Sequence, residues 1–175
     1  ERVGVPRLLM VREQLTARSM DEAVTMALRP DRASSYNTVL ATPDGRVVNV
    51  EGSATDAELD GLDERGRFAH TNHFACSRML PFEGDPAYAV QSGIRLDRAQ
   101  ALLAEAPDGA IDAAWMRAAL ADHGTSPALC RHVDADSAVA TAFWCIADVT
   151  SGEVRYGLGN PCEPGEERFA FDRAG

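Results

Sequence analysis

A chain of 175 residues in which 45% are apolar can fill one core, so a single domain over residues 1–175 is the expectation. The net charge of −10 sets the chain against phosphate backbones and anionic lipid headgroups, which argues against nucleic acid and membrane surfaces as partners. Neither a basic-plus-apolar leader nor a continuous membrane-spanning run is visible, and because the first residue is Glu1 this says little about secretion. All 17 basic side chains are arginine, a compositional bias from which no function follows. Cys76, Cys130, Cys145 and Cys162 are widely spaced without a C-x-x-C pair. That pattern fits scattered reduced thiols and a cytoplasmic setting.

Residues 5 to 29 read as two helices, with Leu8, Val11 and Leu15 on one face and Val24, Ala27 and Leu28 on the next. Ser19 followed by Glu22 is a capping-box pattern, and Arg29-Pro30 ends the second helix. Tyr36 to Thr42 and Arg46 to Glu51, joined by Pro43-Asp44-Gly45, predict a hairpin. The acidic segment Gly52 to Gly66 is expected to be an exposed loop or a short irregular helix. Met79 to Gln91 reads as a long surface loop, and helix is expected to resume at about Leu96, breaking at Pro107-Asp108-Gly109. A further helix is predicted from an Asp112 N-cap through Trp115 to Gly124. In Ala138 to Val149 both alternating sets are apolar, which predicts a strand covered on both faces, with Cys145 in the core. Val154, Tyr156 and Leu158 alternate in the next strand, and Phe169 and Phe171 mark a last one. The fold class is therefore α+β with helices on one face of a sheet. What covers the other face is unaccounted for, so part of the natural polypeptide is expected to be absent.

Chemistry-bearing groups are densest in Arg67-Phe68-Ala69-His70-Thr71-Asn72-His73-Phe74-Ala75-Cys76. One reading is a zinc-stabilised or non-catalytic binding domain in which His70, His73 and Cys76 supply H-x-x-H-x-x-C ligands, with His132 as a further donor. That reading requires a local turn, because an extended strand sends His70 and His73 to opposite faces. A second reading is structural, the histidines and the asparagine satisfying one another and nearby backbone. A third is catalytic, with the Asn72 amide donating to an oxyanion. Ser53 and Ser137 read first as loop or strand-edge serines bonded to backbone. Cys76 beside His73 is a weaker candidate nucleophile.

Gly66 through His73 with its H-T-N-H run, Gly4-Val5-Pro6 ahead of a helix pair, Leu129-Cys130-Arg131, and Ser137 through Thr141 occur in this order in one family. The chain resembles the acyl-coenzyme A:6-aminopenicillanate (isopenicillin N) acyltransferases, the C45 peptidase-like branch of the N-terminal nucleophile hydrolases. The resemblance implies an αββα sandwich made as a precursor that cleaves itself before a cysteine. The freed cysteine attacks an acyl carbonyl with its own α-amino group as base, a group of pKa about 8 in model peptides. Asn72 inherits the oxyanion role, Ser53 and Ser137 inherit roles in processing or substrate handling, and His70, His73 and Arg131 are placed at the substrate. The implied partners are a small-molecule acyl donor, an amine acceptor and the preceding part of the precursor. No cofactor or metal is implied, and a homo-oligomer is compatible with the reading. The family's nucleophile lies well before Gly4-Val5-Pro6, so this chain is expected to be the later part of a larger enzyme, lacking the nucleophile itself. Ala138 stands after Ser137 where the penicillin-pathway enzyme has an arginine, which weakens any expectation of penicillin specificity.

Overall fold

The computed structural model describes residues 3–133 and 138–171. The chain divides into two compact units, Glu1–Ala89 and Val90–Gly175.

The first unit opens with α1 (Arg7–Gln14) and α2 (Met20–Ala27), followed by an antiparallel sheet of β1 (Tyr36–Ala41), β2 (Val47–Gly52) and β3 (Ala57–Asp60), with β2 central. Two helices form because the capping box at residue 19 starts a new one. The Ser19 hydroxyl accepts from the Glu22 N–H at 3.2 Å, and the Glu22 carboxylate accepts from the Arg18 N–H at 2.7 Å. Ahead of α1, Val5 and Arg32 form a parallel bridge, and a Cβ on Gly4 would lie 2.4 Å from the Asp31 carbonyl oxygen. Only glycine lets the chain pass that close to residues 31–33.

The register of β1 and β2, Tyr36 opposite Gly52 and Leu40 opposite Val48, gives this sheet two unlike faces. Tyr36, Val48 and Val50 lie on the face that packs with Met10 and Ala27. The Tyr36 hydroxyl donates to the Ala27 carbonyl, tying sheet to helix. Asn37, Asn49, Glu51 and Glu58 alternate onto the opposite face, which is polar.

The second unit holds most of α3 (Pro86–Glu105), then α4 (Ala113–Leu120) and a second antiparallel sheet of β4 (Phe143–Asp148), β5 (Glu153–Leu158) and β6 (Glu167–Ala170), with β5 central. The Asp112 carboxylate caps α4, accepting from the Trp115 N–H at 2.7 Å. α4 packs on one face of β4, where Trp144 and Ile146 are buried and the Arg117 guanidinium lies 4.7 Å from the Trp144 ring. The indole sits so close to β5 that a Cβ on Gly157 would fall 2.5 Å from its Nε1.

Three expectations are corrected. The acidic segment contains a strand, β3, because Ala57–Asp60 completes the open edge of β2. Helix α3 begins at Pro86, ten residues earlier than expected. Proline is tolerated in a first turn, where its missing N–H is not needed, and Asp85 caps that turn through the Tyr88 N–H at 3.0 Å. Strand β4 is shorter than Ala138 to Val149 and is covered on one face only: Phe143 is 67% exposed and Cys145 is exposed rather than core. Among the described residues no helix is long and apolar enough to cross a membrane.

Met10 is fully enclosed in the first core, whereas Leu9 beside it is 59% exposed. Met10→Ala is expected to destabilise the chain by about 2–5 kcal/mol and Leu9→Ala by at most about 0.5 kcal/mol, measured by urea unfolding.

Candidate functional site

The polar face of the first sheet meets the densest chemical stretch of the chain at Glu51. Its side chain is 1% exposed and sits at the centre of a three-bond clamp. His70 Nε2 donates to Oε1 at 2.6 Å, the Ala75 N–H to Oε1 at 2.7 Å, and the Cys76 N–H to Oε2 at 2.8 Å. Both ends of the 70–76 loop are thus bound to one buried carboxylate. Two further carboxylates hold the far side, Glu83 accepting from the Phe74 N–H at 3.0 Å and Glu58 from the Arg78 N–H at 2.9 Å.

A buried carboxylate needs this many donors. Burial alone would raise the Glu51 pKa, yet the bonds from His70, Ala75 and Cys76 outweigh it and leave the group below its ordinary value. Asn49, two residues earlier on the same face, is wholly buried, and neither its amide nitrogen nor its amide oxygen has a partner. A buried amide in that state costs about 1–3 kcal/mol of stability, so its presence asks for an explanation beyond packing.

Asn72 lies at the bend of the clamped loop and is exposed, between His70 and His73, which are partly buried. His73 Nδ1 lies 3.3 Å from the Thr71 hydroxyl. Cys76 is a poor nucleophile here. Burial, with the negative charge of Glu51 beside it, pushes its thiol up to about 12, so it keeps its proton at neutral pH. The donor atoms of His70, His73 and Cys76 are not gathered into a ligand set. Among the described residues, the Cys and His side chains that do converge lie in the second unit: His123, Cys130, His132 and Cys162.

The other predicted residues are placed as follows. Ser53 is buried at the end of β2, and its hydroxyl accepts from the Thr55 N–H at 3.2 Å and the Asp56 N–H at 2.9 Å, so it shapes the turn into β3. Arg131 belongs to the second unit, where its N–H donates to the Thr141 hydroxyl and its carbonyl accepts from the Asn160 amide. Ser137 lies outside the described residues. Sequence reasoning missed Glu51 as the organiser of the loop. The available signal was the phase of Val48-Asn49-Val50-Glu51, which sets two polar side chains on one face of a central strand.

The lowered pKa of Glu51 makes a pH prediction whose sign is fixed. The unfolded chain binds this proton more readily than the folded one. The stabilisation is therefore present above the ordinary glutamate value of about 4.3 and lost as pH falls through the lower folded value. Glu51→Gln is expected to be less stable than the parent at neutral pH and to show a shallower loss of stability on acidification, measured by chemical unfolding across that range.

The chain matches no curated protein. The model of the family described as acyl-coenzyme A:6-aminopenicillanic acid acyl-transferase matches residues 1–163, a span that takes in the clamped H-T-N-H loop and all of the sequence up to the turn carrying Cys162. On that extent, the chain belongs to the acyl-coenzyme A:6-aminopenicillanic acid acyl-transferase family.

Proposed function

We propose that this chain is part of a cysteine N-terminal nucleophile acyltransferase or amidohydrolase, in which Asn72 donates to the oxyanion and the nucleophilic cysteine precedes Glu1. The observation that carries this reading is the clamp on the H-T-N-H loop. The loop that carries the Asn72 amide is held at both ends by a buried carboxylate, which supports this reading because an oxyanion donor works best from a backbone fixed before substrate arrives.

In the reaction the cysteine thiol passes its proton to its own α-amino group and its sulfur attacks the acyl carbonyl. The carbonyl oxygen becomes an oxyanion and accepts from the Asn72 Nδ2–H. Collapse of the tetrahedral intermediate forms a thioester, and the leaving amine or thiol takes the proton. An acceptor amine or water then attacks the thioester, through a second oxyanion at the same amide, and regenerates the thiol. The substrates are a small-molecule acyl donor, such as an acyl-CoA or a linear or cyclic amide, and an amine acceptor. His70 and His73 flank the donor, and Arg131, Ser53 and Ser137 are kept as substrate-handling or processing residues.

Two further features support the reading. The unpartnered Asn49 amide leaves the polar face of the first sheet incompletely satisfied, as in a site awaiting a polar partner. The second sheet leaves an apolar face open, with Phe143 at 67% and Leu158 at 87% exposure, as a sheet destined for another layer would. The four-layer αββα sandwich is part of this proposal.

Replacing Asn72 by alanine in the full-length protein is expected to lower kcat by about a hundredfold or more with a smaller change in KM, measured on a substrate the parent turns over. An unfolding midpoint measured on the same variant separates a loss of catalysis from a loss of fold. Unchanged turnover would remove Asn72 from the mechanism.

A further inference from the structure

We propose that His123, Cys130, His132 and Cys162 form a zinc site that staples the segment after α4 to the turn between β5 and β6. This inference concerns the second unit alone and is independent of the role assigned to Asn72.

The geometry carries it. One donor atom from each of the four side chains lies within 4.8 Å of the other three. His123 Nε2 and His132 Nε2 are 3.1 Å apart, and the Cys130 and Cys162 sulfurs are 3.5 Å apart. His132 Nε2 lies 3.6 Å from the Cys130 sulfur and 3.4 Å from that of Cys162. In a zinc tetrahedron with Zn–S about 2.3 Å and Zn–N about 2.05 Å, the edges are about 3.8 Å between sulfurs, about 3.6 Å between sulfur and nitrogen, and about 3.3 Å between nitrogens. Each of the four measured separations falls within ~0.3 Å of its edge. Two thiolates and two imidazoles form a donor set suited to zinc, and four protein ligands close the coordination sphere, the mark of a structural rather than a catalytic ion.

The surroundings prepare the donors. The buried Asn160 amide donates to the Cys130 sulfur at 3.2 Å and to the Arg131 carbonyl at 2.7 Å. An N–H aimed at sulfur favours the thiolate and fixes its direction, as outer-shell partners of metal ligands do. The Asp122 carboxylate, paired with Arg98 at 2.6 Å, accepts from the Gly124 N–H, and the Asp122 carbonyl accepts from the Cys130 N–H. These bonds bring the backbone of Cys130 back toward His123. On the other side, Arg117 donates to the carbonyls of Pro161 and Glu163, which flank Cys162. Cys130 is buried, whereas Cys162 and both histidines are exposed, so an ion can enter from solvent.

The test uses the full chain purified under reducing conditions and then equilibrated with zinc and desalted. Elemental analysis is expected to find one zinc per chain, and cobalt exchanged into the site should give the absorption of a tetrahedral thiolate complex. Cys162→Ser, an exposed substitution that leaves the core untouched, should lose the stoichiometric metal. Cys145→Ser, which removes an exposed thiol outside the cluster, should retain it. Asn160→Ala should bind zinc about 10- to 100-fold more weakly. A zinc chelator should lower the thermal midpoint of the parent and leave that of Cys162→Ser unchanged. The proposal is overturned if the reduced parent chain retains no zinc, if Cys162→Ser binds it as well as the parent, or if the thiols are found joined as a Cys130–Cys162 disulfide in metal-free protein.

Discussion

A single carboxylate removed from water, that of Glu51, is the constraint on which the first unit depends. Placing it on the central strand of a sheet is unfavourable until donors arrive, and among the described residues its donors come from the loop 19 to 25 residues further along the chain. The loop therefore has little freedom over where it sits. The same bonds that satisfy Glu51 tie down both ends of the loop that carries Asn72, so the stability of the sheet and the placement of that loop are linked. Burial, with the Glu51 charge that holds its backbone in place, also disfavours the thiolate of Cys76.

The elements legible in the sequence were those whose signals are local. The break between α1 and α2 was written in Ser19 and Glu22, the hairpin in Pro43-Asp44-Gly45, and the start of α4 in Asp112. The missed elements answer to contacts that sequence order hides. β3 exists because β2 had an open edge, a fact about pairing rather than about residues 57–60. The early start of α3 turned on reading Asp85-Pro86 as a cap and first turn instead of a loop. The composition of β4 is apolar on both faces and so predicts cover on both. Composition reports what a face can do, and a helix covers only one of them here.

The candidate site divides in the same way. H-T-N-H is contiguous and was visible, and the family to which the chain belongs gave it a meaning. Its organiser, Glu51, lies on another element and showed only as a polar phase in a strand. The Cys and His cluster of the second unit was less visible still, since its members are separated by irregular intervals, with His132 sharing a short motif only with Cys130. Convergence of that kind is produced by the turns at 122–124 and 160–163, and no spacing rule captures it.

The fork of Arg117 has a wider implication. One guanidinium on α4 faces the Trp144 ring, pairs with Glu166 and grips the backbone on both sides of Cys162. The rotational setting of a two-turn helix is thus coupled to the position of a thiol more than forty residues later. Adding one residue ahead of Arg117 within α4 would swing that side chain by about 100° around the helix axis and release all of these contacts at once. An insertion ahead of Arg117 within α4 is therefore not tolerated without loss of these contacts, and lysine, lacking a planar fork, could not stand in for the arginine.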